Sequence, residues 1–312
     1  MDITESGITV TTYSPPAGFD PRTATNTELV RAGFPRRPDD PQHLAHWNRI
    51  LEELNGELNY TTPAFGPVRR RREPRLQRAF PAGTQGAFLN DHWSGALVFA
   101  PAQWSFCWLK ADWTVPTITA PDPTQSYTVE SWIGFDGEHT DSELCQIGIE
   151  QAIVVDGDSV TTQCYAWYGW WTEATPYAVP ISNFGVSPGD NVTLVLCTAG
   201  AGSTKATASY TNTTTKQVTS LTFTAPQGTT LLGHCAEWIV ERPMLNNEYA
   251  LLPDYDRVIF SGCTAGTGDS TTVDGGSGAL IDMTDGNNTV ISAAEAVTST
   301  VIECQYTGPT VA

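Results

Sequence analysis

Two glutamates stand four residues apart in a short apolar segment of the chain. Glu237 and Glu241 belong to the sequence AEWIVE at 236–241, and the even spacing puts both side chains on one face of a β-strand. A carboxylate that faces a concave surface is a candidate general base for hydrolysis. A solvated strand face is the simpler interpretation of a single strand glutamate, but the neighbours here are apolar. This strand is therefore the first candidate for a chemical site.

Aromatic side chains form a second unusual group. Its members are Trp93, Trp132, Tyr165, Trp167, Tyr168, Trp170, Trp171 and Trp238. Large aromatics commonly fill the interior of a β-sandwich, which is the simpler interpretation of each one alone. The segment YAWYGWW at 165–171 nevertheless carries aromatics on both faces of one strand. One face should meet the core, so the other needs a concave ligand surface or a second layer.

Several common functional motifs are missing from the sequence. It has no HExxH, no P-loop, no GxGxxG after a strand and no GxSxG elbow. The seven cysteines form no CxxC pair, which argues against a structural zinc site. The acidic turn at 282–286 lacks the spacing of a calcium loop. We therefore expect neither a metal nor a cofactor. No apolar run approaches 18 residues, so we expect no membrane-spanning segment.

Short strands and turns dominate the chain from about Leu89. In CWLKADWTV at 107–115 apolar and polar residues alternate, the pattern of a half-buried strand, and Pro116 ends it. Similar segments lie at 127–135, 144–154, 162–171, 191–198, 206–211, 217–224, 235–241, 257–261, 278–284 and 289–293. Many short strands separated by turn signals predict an all-β fold, a sandwich or a barrel.

The charge is divided unequally between two parts of the chain. Residues 1–88 hold eleven Arg and ten acidic residues, a net charge of +1, whereas residues 89–312 carry −19. A net charge of −18 argues against nucleic-acid binding, which needs a basic footprint. The arginines cluster at Arg69–Arg72, Arg75 and Arg78. A solvated linker and an electrostatic clamp are both consistent with this run.

The first 88 residues look irregular apart from one helix. Residues 1–39 are rich in Pro, while Leu44, Trp47 and Leu51 mark an apolar stripe that predicts a helix over 40–55. Asp40 is placed to cap it and Gly56 to end it. The organisation we predict is an N-terminal segment, 1–88, and a β-sandwich domain, 89–312.

Several blocks of the body resemble the glutamic peptidases, or eqolisins, in the order typical of that family. These blocks are HWSGALV at 92–98, ADWTVP at 111–116, SWIGFDG at 131–137, LCQIG at 144–148, YAWYGWW at 165–171, SPGD at 187–190, AEWIVERP at 236–243 and DYDRVIF at 254–260. The resemblance spans roughly 92–305. It implies a concanavalin-like or lectin-like sandwich of two antiparallel sheets with a substrate cleft on its concave face.

The resemblance also implies an endopeptidase that works in acid through a Gln–Glu dyad. The family's glutamine falls on Gln146 and its glutamate on Glu241. In such a dyad the glutamate activates water and protonates the leaving amine, and the glutamine stabilises the oxyanion. The cleft-lining, substrate-binding positions fall on Trp93, Trp132, Asp136 and Trp167.

Two positions depart from the family pattern. Gly169 stands where the family usually has Glu, and Trp171 where it has Tyr. A peptidase homologue that only binds peptides is therefore one alternative function. A carbohydrate-active or carbohydrate-binding sandwich is another, because aromatic platforms and the pair Glu237/Glu241 suit sugars.

The resemblance further implies partners, location and processing. Protein or peptide substrates, no nucleic acid, no membrane and a monomeric state are expected. An extracellular location is expected from the family, although no classical signal peptide is visible at the N-terminus. In the family a basic propeptide precedes and restrains an acidic catalytic domain, so residues 1–88 are expected to act in this way by charge complementarity.

Overall fold

Strands make up most of the folded chain. The computed structural model describes residues 8–309 except 17, 35, 40, 42–43, 46, 49–50, 52–57, 71–86, 139–142, 173–176 and 270. The elements in chain order are β1 (Val10–Thr12), α1 (Asn26–Arg31), β2 (Asn59–Tyr60), β3 (Arg69–Arg70), β4 (Ala87–Asn90), β5 (Trp93–Phe99), β6 (Phe106–Thr114), β7 (Tyr127–Phe135), β8 (Leu144–Asp156), β9 (Ser159–Trp171), β10 (Tyr177–Ile181), β11 (Asn191–Thr198), β12 (Lys205–Asn212), β13 (Gln217–Thr224), β14 (Cys235–Glu241), β15 (Met244–Leu245), β16 (Glu248–Tyr249), β17 (Arg257–Thr267), β18 (Thr272–Asp274), β19 (Ala279–Thr284), β20 (Val290–Thr298) and β21 (Val301–Tyr306).

Two sheets form the layers of a sandwich. The front sheet has the order β3–β10–β9–β8–β7–β14–β5–β19–β20–β21–β17, and β4 also pairs with β19. The back sheet has the order β1–β13–β12–β11–β6–β17, with β2 beside β13 and β18 beside β17. Strand β17 serves both sheets, since its first residues pair with β21 and its later ones with β6. The predicted fold class, an all-β sandwich of antiparallel sheets, is confirmed.

The main core lies between the sheets and is filled by alternate residues of their strands. Ile133 and Phe135 from β7 meet Leu109 from β6 and Leu194 from β11 in one buried cluster. The other face of the front sheet, which we call the outer face, carries a second apolar cluster that includes Trp93, Trp132, Trp167 and Trp171. Strand β9 divides its aromatics accordingly, with Tyr168 and Trp170 in the main core and Trp167 and Trp171 on the outer face. The aromatics at 165–171 therefore supply two different layers.

The N-terminal segment is hydrogen-bonded to strands of both sheets. Strands β1 and β2 pair with β13, β3 pairs with β10, and β4 pairs with β19. The prediction that residues 1–39 are irregular overlooked β1 and α1. Helix α1 has a capping box, in which Thr25 accepts from the backbone N–H of Glu28 and the Glu28 carboxylate accepts from that of Thr25.

The helix predicted over 40–55 lies partly outside the described residues. Those described between 41 and 51 are helical, and Trp47 and Leu51 are buried. They belong to a small cluster with Leu29 of α1 and Val218 of β13. The N-terminal segment thus has its own apolar contact with the back sheet. Among the described residues, no helix is both long and apolar enough to cross a membrane.

Candidate active site

Strand register places the two predicted dyad residues on the outer face of the front sheet. Residues directly opposite each other in an antiparallel pair share a face. One row across the strands therefore contains Trp93, Glu241, Glu130, Glu150 and Tyr165. A second row contains Ile239, Trp132, Gly148 and Trp167, and a third contains Glu237, Gly134, Gln146 and Gly169. The second row, with Trp132 and Trp167, lies between the row of Glu241 and the row of Gln146.

Glu241 is buried and oriented by a tryptophan. Trp132 Nε1 donates a hydrogen bond to Glu241 Oε2 at 2.7 Å. The ring of Trp132 is itself packed edge to face against Trp93, with 5.1 Å between the ring centroids. An indole N–H can only donate, so it requires an acceptor oxygen from the carboxyl group. The carboxyl group of Glu241 is therefore held at a defined place on the outer face.

Gln146 is oriented by a second tryptophan. Trp171 Nε1 donates to Gln146 Oε1 at 2.6 Å, and the Gln146 side chain is fully buried. Because the indole N–H cannot accept, the amide oxygen must face Trp171 and the amide nitrogen must point elsewhere. Gln146 Nε2 has no hydrogen-bond partner among the described residues. The geometry thus presents a buried N–H donor with unused capacity.

Two glycines make the tryptophan packing possible. A Cβ atom at Gly148 would lie 2.6 Å from the Cβ atom of Trp132 and 3.1 Å from Trp167 Cζ2. A Cβ atom at Gly169 would lie 2.8 Å from Trp171 Nε1. The Trp171 indole therefore occupies the space above Gly169, the residue opposite Gln146. The two departures from the family pattern, at 169 and 171, form one local arrangement that contacts the glutamine.

The outer face also holds acids that the sequence analysis did not single out. Glu130 and Glu150 are buried and stand in the same row as Glu241. The sequence carried a signal for them, because an even spacing along a strand puts two side chains on the same face. Glu130 is two residues from Trp132, and Glu150 is four residues from Gln146. Buried carboxyl groups side by side are a setting in which protons are shared.

Asp136 lies beyond the end of β7 beneath the loop before β14. Its Oδ2 accepts from the backbone N–H groups of Leu232 and Gly233, both at 2.8 Å, and Oδ1 accepts from that of His234 at 2.9 Å. Burial raises its pKa to about 6 against the effect of these hydrogen bonds. Its exposed fraction is 0%, so this carboxylate fastens the loop rather than opening to solvent.

A second polar cluster surrounds Asp136 on the same face. Glu138, His234, Cys235 and Glu237 lie close together, and the His234 imidazole contacts the Glu138 carboxylate. Burial opposes ionisation of Glu138, but hydrogen bonds from His234 and Cys235 outweigh it and lower its pKa. The hydrogen bond with Glu138 raises the pKa of His234. Burial, and then the charge of Glu138, raise the pKa of Glu237 well above its ordinary value.

All six residues predicted for the site lie on or beside the outer face. Gln146, Glu241, Trp132, Trp167 and Trp93 belong to its three rows, and Asp136 follows β7 at the margin. Each is at most 1% exposed in the full chain. Glu237, the other glutamate of AEWIVE, shares this face but belongs to the cluster near Asp136.

Comparison with known proteins identifies the family of this chain. The model of the Peptidase A4 family matches residues 91–306. Aspergillopepsin-2 from Aspergillus niger is 25% identical over 206 residues, which cover 61% of this chain and 69% of that protein. Scytalido-glutamic peptidase, solved with a transition-state analog inhibitor, superposes with a TM-score of 0.57 at 23% identity and covers 70% of this chain and 98% of its own. The eqolisin SCP-B, solved with the tripeptide Ala-Ile-His, gives 0.54 at 22% identity over the same shares.

The fold, the outer-face site and these relatives define the class as the glutamic peptidases, which are hydrolases acting on peptide bonds. The chain belongs to the Peptidase A4 family, the eqolisins, because the family model covers most of its length. The resemblance noted in the sequence is thereby confirmed. The matched region begins at residue 91, so the N-terminal segment lies outside it.

Proposed function

We propose that this protein is an acid-acting endopeptidase in which Glu241 and Gln146 form the catalytic dyad. The observation that supports this most directly is the orientation of Gln146. Its oxygen is taken by Trp171 Nε1, which leaves Nε2 available to an incoming carbonyl oxygen. Trp132 holds Glu241 on the same face of the sheet. The donor and the base are therefore oriented by the protein before substrate arrives.

The dyad accounts for each proton of the reaction. Ionised Glu241 takes a proton from water, and the resulting hydroxide attacks the peptide carbonyl carbon. The carbonyl oxygen becomes an oxyanion that accepts a hydrogen bond from Gln146 Nε2. Glu241 then gives its proton to the peptide nitrogen, the C–N bond breaks, and the carboxylate is restored.

A carboxylate base suits acidic conditions. With a reference pKa near 4.3, a glutamate stays partly ionised in mild acid, at a pH of about 3–5. An imidazole base would already be protonated there. The strongly acidic body fits the same conditions, because its carboxylates lose charge and mutual repulsion as the pH falls.

Trp93, Trp132 and Trp167 are proposed to line the substrate cleft, with Asp136 at its margin. Trp132 and Trp167 stand in the row between Glu241 and Gln146, and Trp93 stands in the row of Glu241, where an extended peptide would cross the strands. Solved relatives carry a peptide-based transition-state analog and a tripeptide, which supports protein or peptide substrates here. We also propose a monomeric, extracellular enzyme, consistent with the family resemblance.

Residues 1–88 are proposed to be a propeptide that restrains the catalytic domain, residues 89–312. Strand β3 pairs with β10 and β4 pairs with β19, on opposite sides of the five strands β9, β8, β7, β14 and β5. The basic run that joins these two strands lies outside the described residues from 71 onward. Its ends are nevertheless held at either side of the sheet that carries the buried dyad, which supports restraint by this segment.

The decisive experiment is digestion of an unfolded protein between about pH 3 and 6, the range in which a carboxylate base operates. We expect cleavage by wild type that resists inhibitors of aspartic peptidases. Glu241→Gln should lose activity, and Gln146→Ala should lose about 10²–10³ in kcat, the usual cost of an oxyanion donor. Glu295→Gln, at an exposed position on β20, serves as the control carboxylate. Equal cleavage by Glu241→Gln and wild type would overturn the dyad.

The same assay separates the alternatives. A homologue that only binds peptides would retain peptide affinity without any cleavage by wild type. A carbohydrate-active protein would leave the unfolded protein intact and cleave or bind an oligosaccharide instead. Trp171 argues for retained catalysis, since its hydrogen bond supplies Gln146 with a buried partner where Gly169 offers no side chain.

A further inference from the structure

Five polar side chains gather where β7 ends and β14 begins. Cys235 and Glu237 lie two residues apart on β14 and so share a face, and Glu138 follows β7, the neighbouring strand. Ligand atoms of Glu138, Cys235 and Glu237 all lie within 4.8 Å of one another, as do those of Asp136, Glu138 and His234. Apart from His234, every member is 0% exposed. The two groups share Glu138.

In this cluster one buried thiol lies between two buried carboxyl groups. Cys235 Sγ lies 2.7 Å from Glu138 Oε2 and 3.0 Å from Glu237 Oε1. A thiol carries one hydrogen, so it can donate to only one of the two carboxylates at a time. Glu237 Oε2, also fully buried, has no hydrogen-bond partner among the described residues. A buried polar atom without a hydrogen bond lowers the stability of the folded protein unless another group or an ion binds it.

We propose that Glu138, Cys235 and Glu237 bind a divalent zinc-like metal ion. One cation would contact the sulfur and both carboxylates together, which a single thiol hydrogen cannot do. Its charge would also offset the buried carboxylates, since buried charges in proteins are paired or coordinate metals. This proposal does not depend on the proposed peptidase mechanism.

The donor types select the kind of metal. Thiolate and carboxylate together are ligands of zinc and similar borderline ions, whereas calcium and magnesium prefer oxygen alone. Zinc bonds of about 2.0–2.3 Å at tetrahedral angles separate ligand atoms by roughly 3.3–3.8 Å. The Cys235 contacts would therefore widen by about 1 Å or less as the ion entered. Three protein ligands leave a fourth position open.

The remaining residues of the cluster would position the ligands. The His234 imidazole contacts Glu138 Oε1, which leaves Glu138 Oε2, the oxygen beside Cys235, for the metal. Asp136 holds the loop at 232–234 through three backbone N–H groups. Such outer contacts fix the orientation of a ligating group and contribute to metal affinity. This assignment differs from the expectation of no metal drawn from the lack of CxxC pairs.

Metal titration of the full-length chain tests the site. Protein stripped with a chelator is titrated with Zn²⁺ near pH 7, because protons compete with metals for thiolate and carboxylate ligands. We expect one ion per chain. With Co²⁺ in place of Zn²⁺, a thiolate-to-cobalt charge-transfer band should appear. Glu237→Gln and Cys235→Ala should each weaken binding by at least about 100-fold, and His234→Gln by about 10–100-fold.

Cys145→Ala is the matched control, because Cys145 is equally buried on β8, which pairs with β7, but faces the main core. It should bind the metal as wild type does, and its charge-transfer band should persist. Should Cys235→Ala fail to fold, Glu237→Gln, which keeps the size of the side chain, decides alone. No bound Zn²⁺ in wild type would overturn the proposal. So would a Co²⁺ spectrum without the thiolate band, or equal affinity in Glu237→Gln and wild type.

Discussion

Residue scale: two indole N–H groups set the direction of the two candidate catalytic side chains. Trp132 orients Glu241 and Trp171 orients Gln146, each through a hydrogen bond of at most 2.7 Å. Trp171 can reach Gln146 because Gly169 leaves the intervening space open. A substitution from Glu to Gly at 169 would look like a loss of function in isolation. Together with Trp171, however, this change gives Gln146 an indole N–H as its hydrogen-bond partner where a glutamate side chain would otherwise stand.

Removing the Trp171 N–H tests this arrangement. Trp171→Phe keeps an aromatic ring but leaves Gln146 Oε1 without its donor, so the amide loses its fixed orientation. We expect kcat to fall by about 3–10-fold, the equivalent of about 0.5–1.5 kcal/mol for one hydrogen bond, with KM little changed. Gly169→Ala should have a comparable or larger effect, because its Cβ would displace the indole.

Trp170→Phe is the control for this prediction. Trp170 Nε1 also donates to a carboxylate, that of Glu143 at 3.1 Å, but its ring lies in the main core. Loss of this hydrogen bond should lower the free energy of unfolding and leave kcat little changed. Steady-state kinetics of the three variants against one peptide substrate give the comparison. A Trp171→Phe enzyme with the kcat of wild type would show that Gln146 is positioned by other contacts.

Element scale: the long hairpin of β8 and β9 sets the register of the site. Asp156 pairs with Ser159 across a two-residue turn, and the same ladder brings Gln146 opposite Gly169 and Gly148 opposite Trp167. Gly157 in this turn has φ of 58°, a left-handed conformation that suits glycine. A shift of one residue would turn every side chain of the strand to the other face. The turn therefore contributes to the placement of Gln146, which lies ten ladder pairs from the closing pair Asp156–Ser159.

Backbone strain at this turn gives a prediction about stability. A Cβ at Gly157 would contact nothing within 4 Å, so Gly157→Ala introduces only the cost of the left-handed conformation. We expect it to lower the free energy of unfolding by about 1–2 kcal/mol. Gly268→Ala is the control, since that position is equally open and has no positive φ. Urea unfolding of both variants provides the measurement, and equal values for the two would contradict the role of strain.

Whole-molecule scale: the distribution of charge and the pairing of strands both bear on how the N-terminal segment attaches to the body of the chain. The body carries −19, while the N-terminal segment contributes eleven of the chain's sixteen basic residues. Strands of that segment are hydrogen-bonded to strands of both sheets. Protonation of carboxylates in acid weakens the electrostatic part of such an attachment but not its backbone pairing. Release of the segment should therefore require cleavage as well as acidification.

Incubation at neutral and acidic pH tests this release. We expect wild type to lose an N-terminal fragment near pH 4 and to gain activity, because the dyad is buried in the full chain. The Glu241→Gln chain should remain intact alone and be cut when active enzyme is added. A wild-type chain that stays whole in acid and shows no gain in activity would contradict the propeptide proposal.

Fold and site differ in how far they follow from sequence. Period-two patterns predicted β7, β11, β13 and β14 with their observed bounds, because each of these strands alternates between two environments. The short strands β1 and β3 carry no such pattern, since pairing with a sheet edge needs only backbone groups. Helix α1 was missed although its capping box, Thr25 with Glu28, was visible in the sequence.

The sequence by itself determined the all-β class and the family, and it pointed to Gln146 and Glu241 as the candidate dyad, since these inferences depend on residue types and local spacing. Only the tertiary structure decided which groups touch. Trp171 lies 25 residues from Gln146 and Trp132 lies 109 residues from Glu241, and strand register alone brings each pair together. Strand pairing likewise brings Glu138, which follows β7, to Cys235 on β14 across 97 residues of chain. Contacts of this kind arise from pairing between strands, which local sequence patterns do not specify.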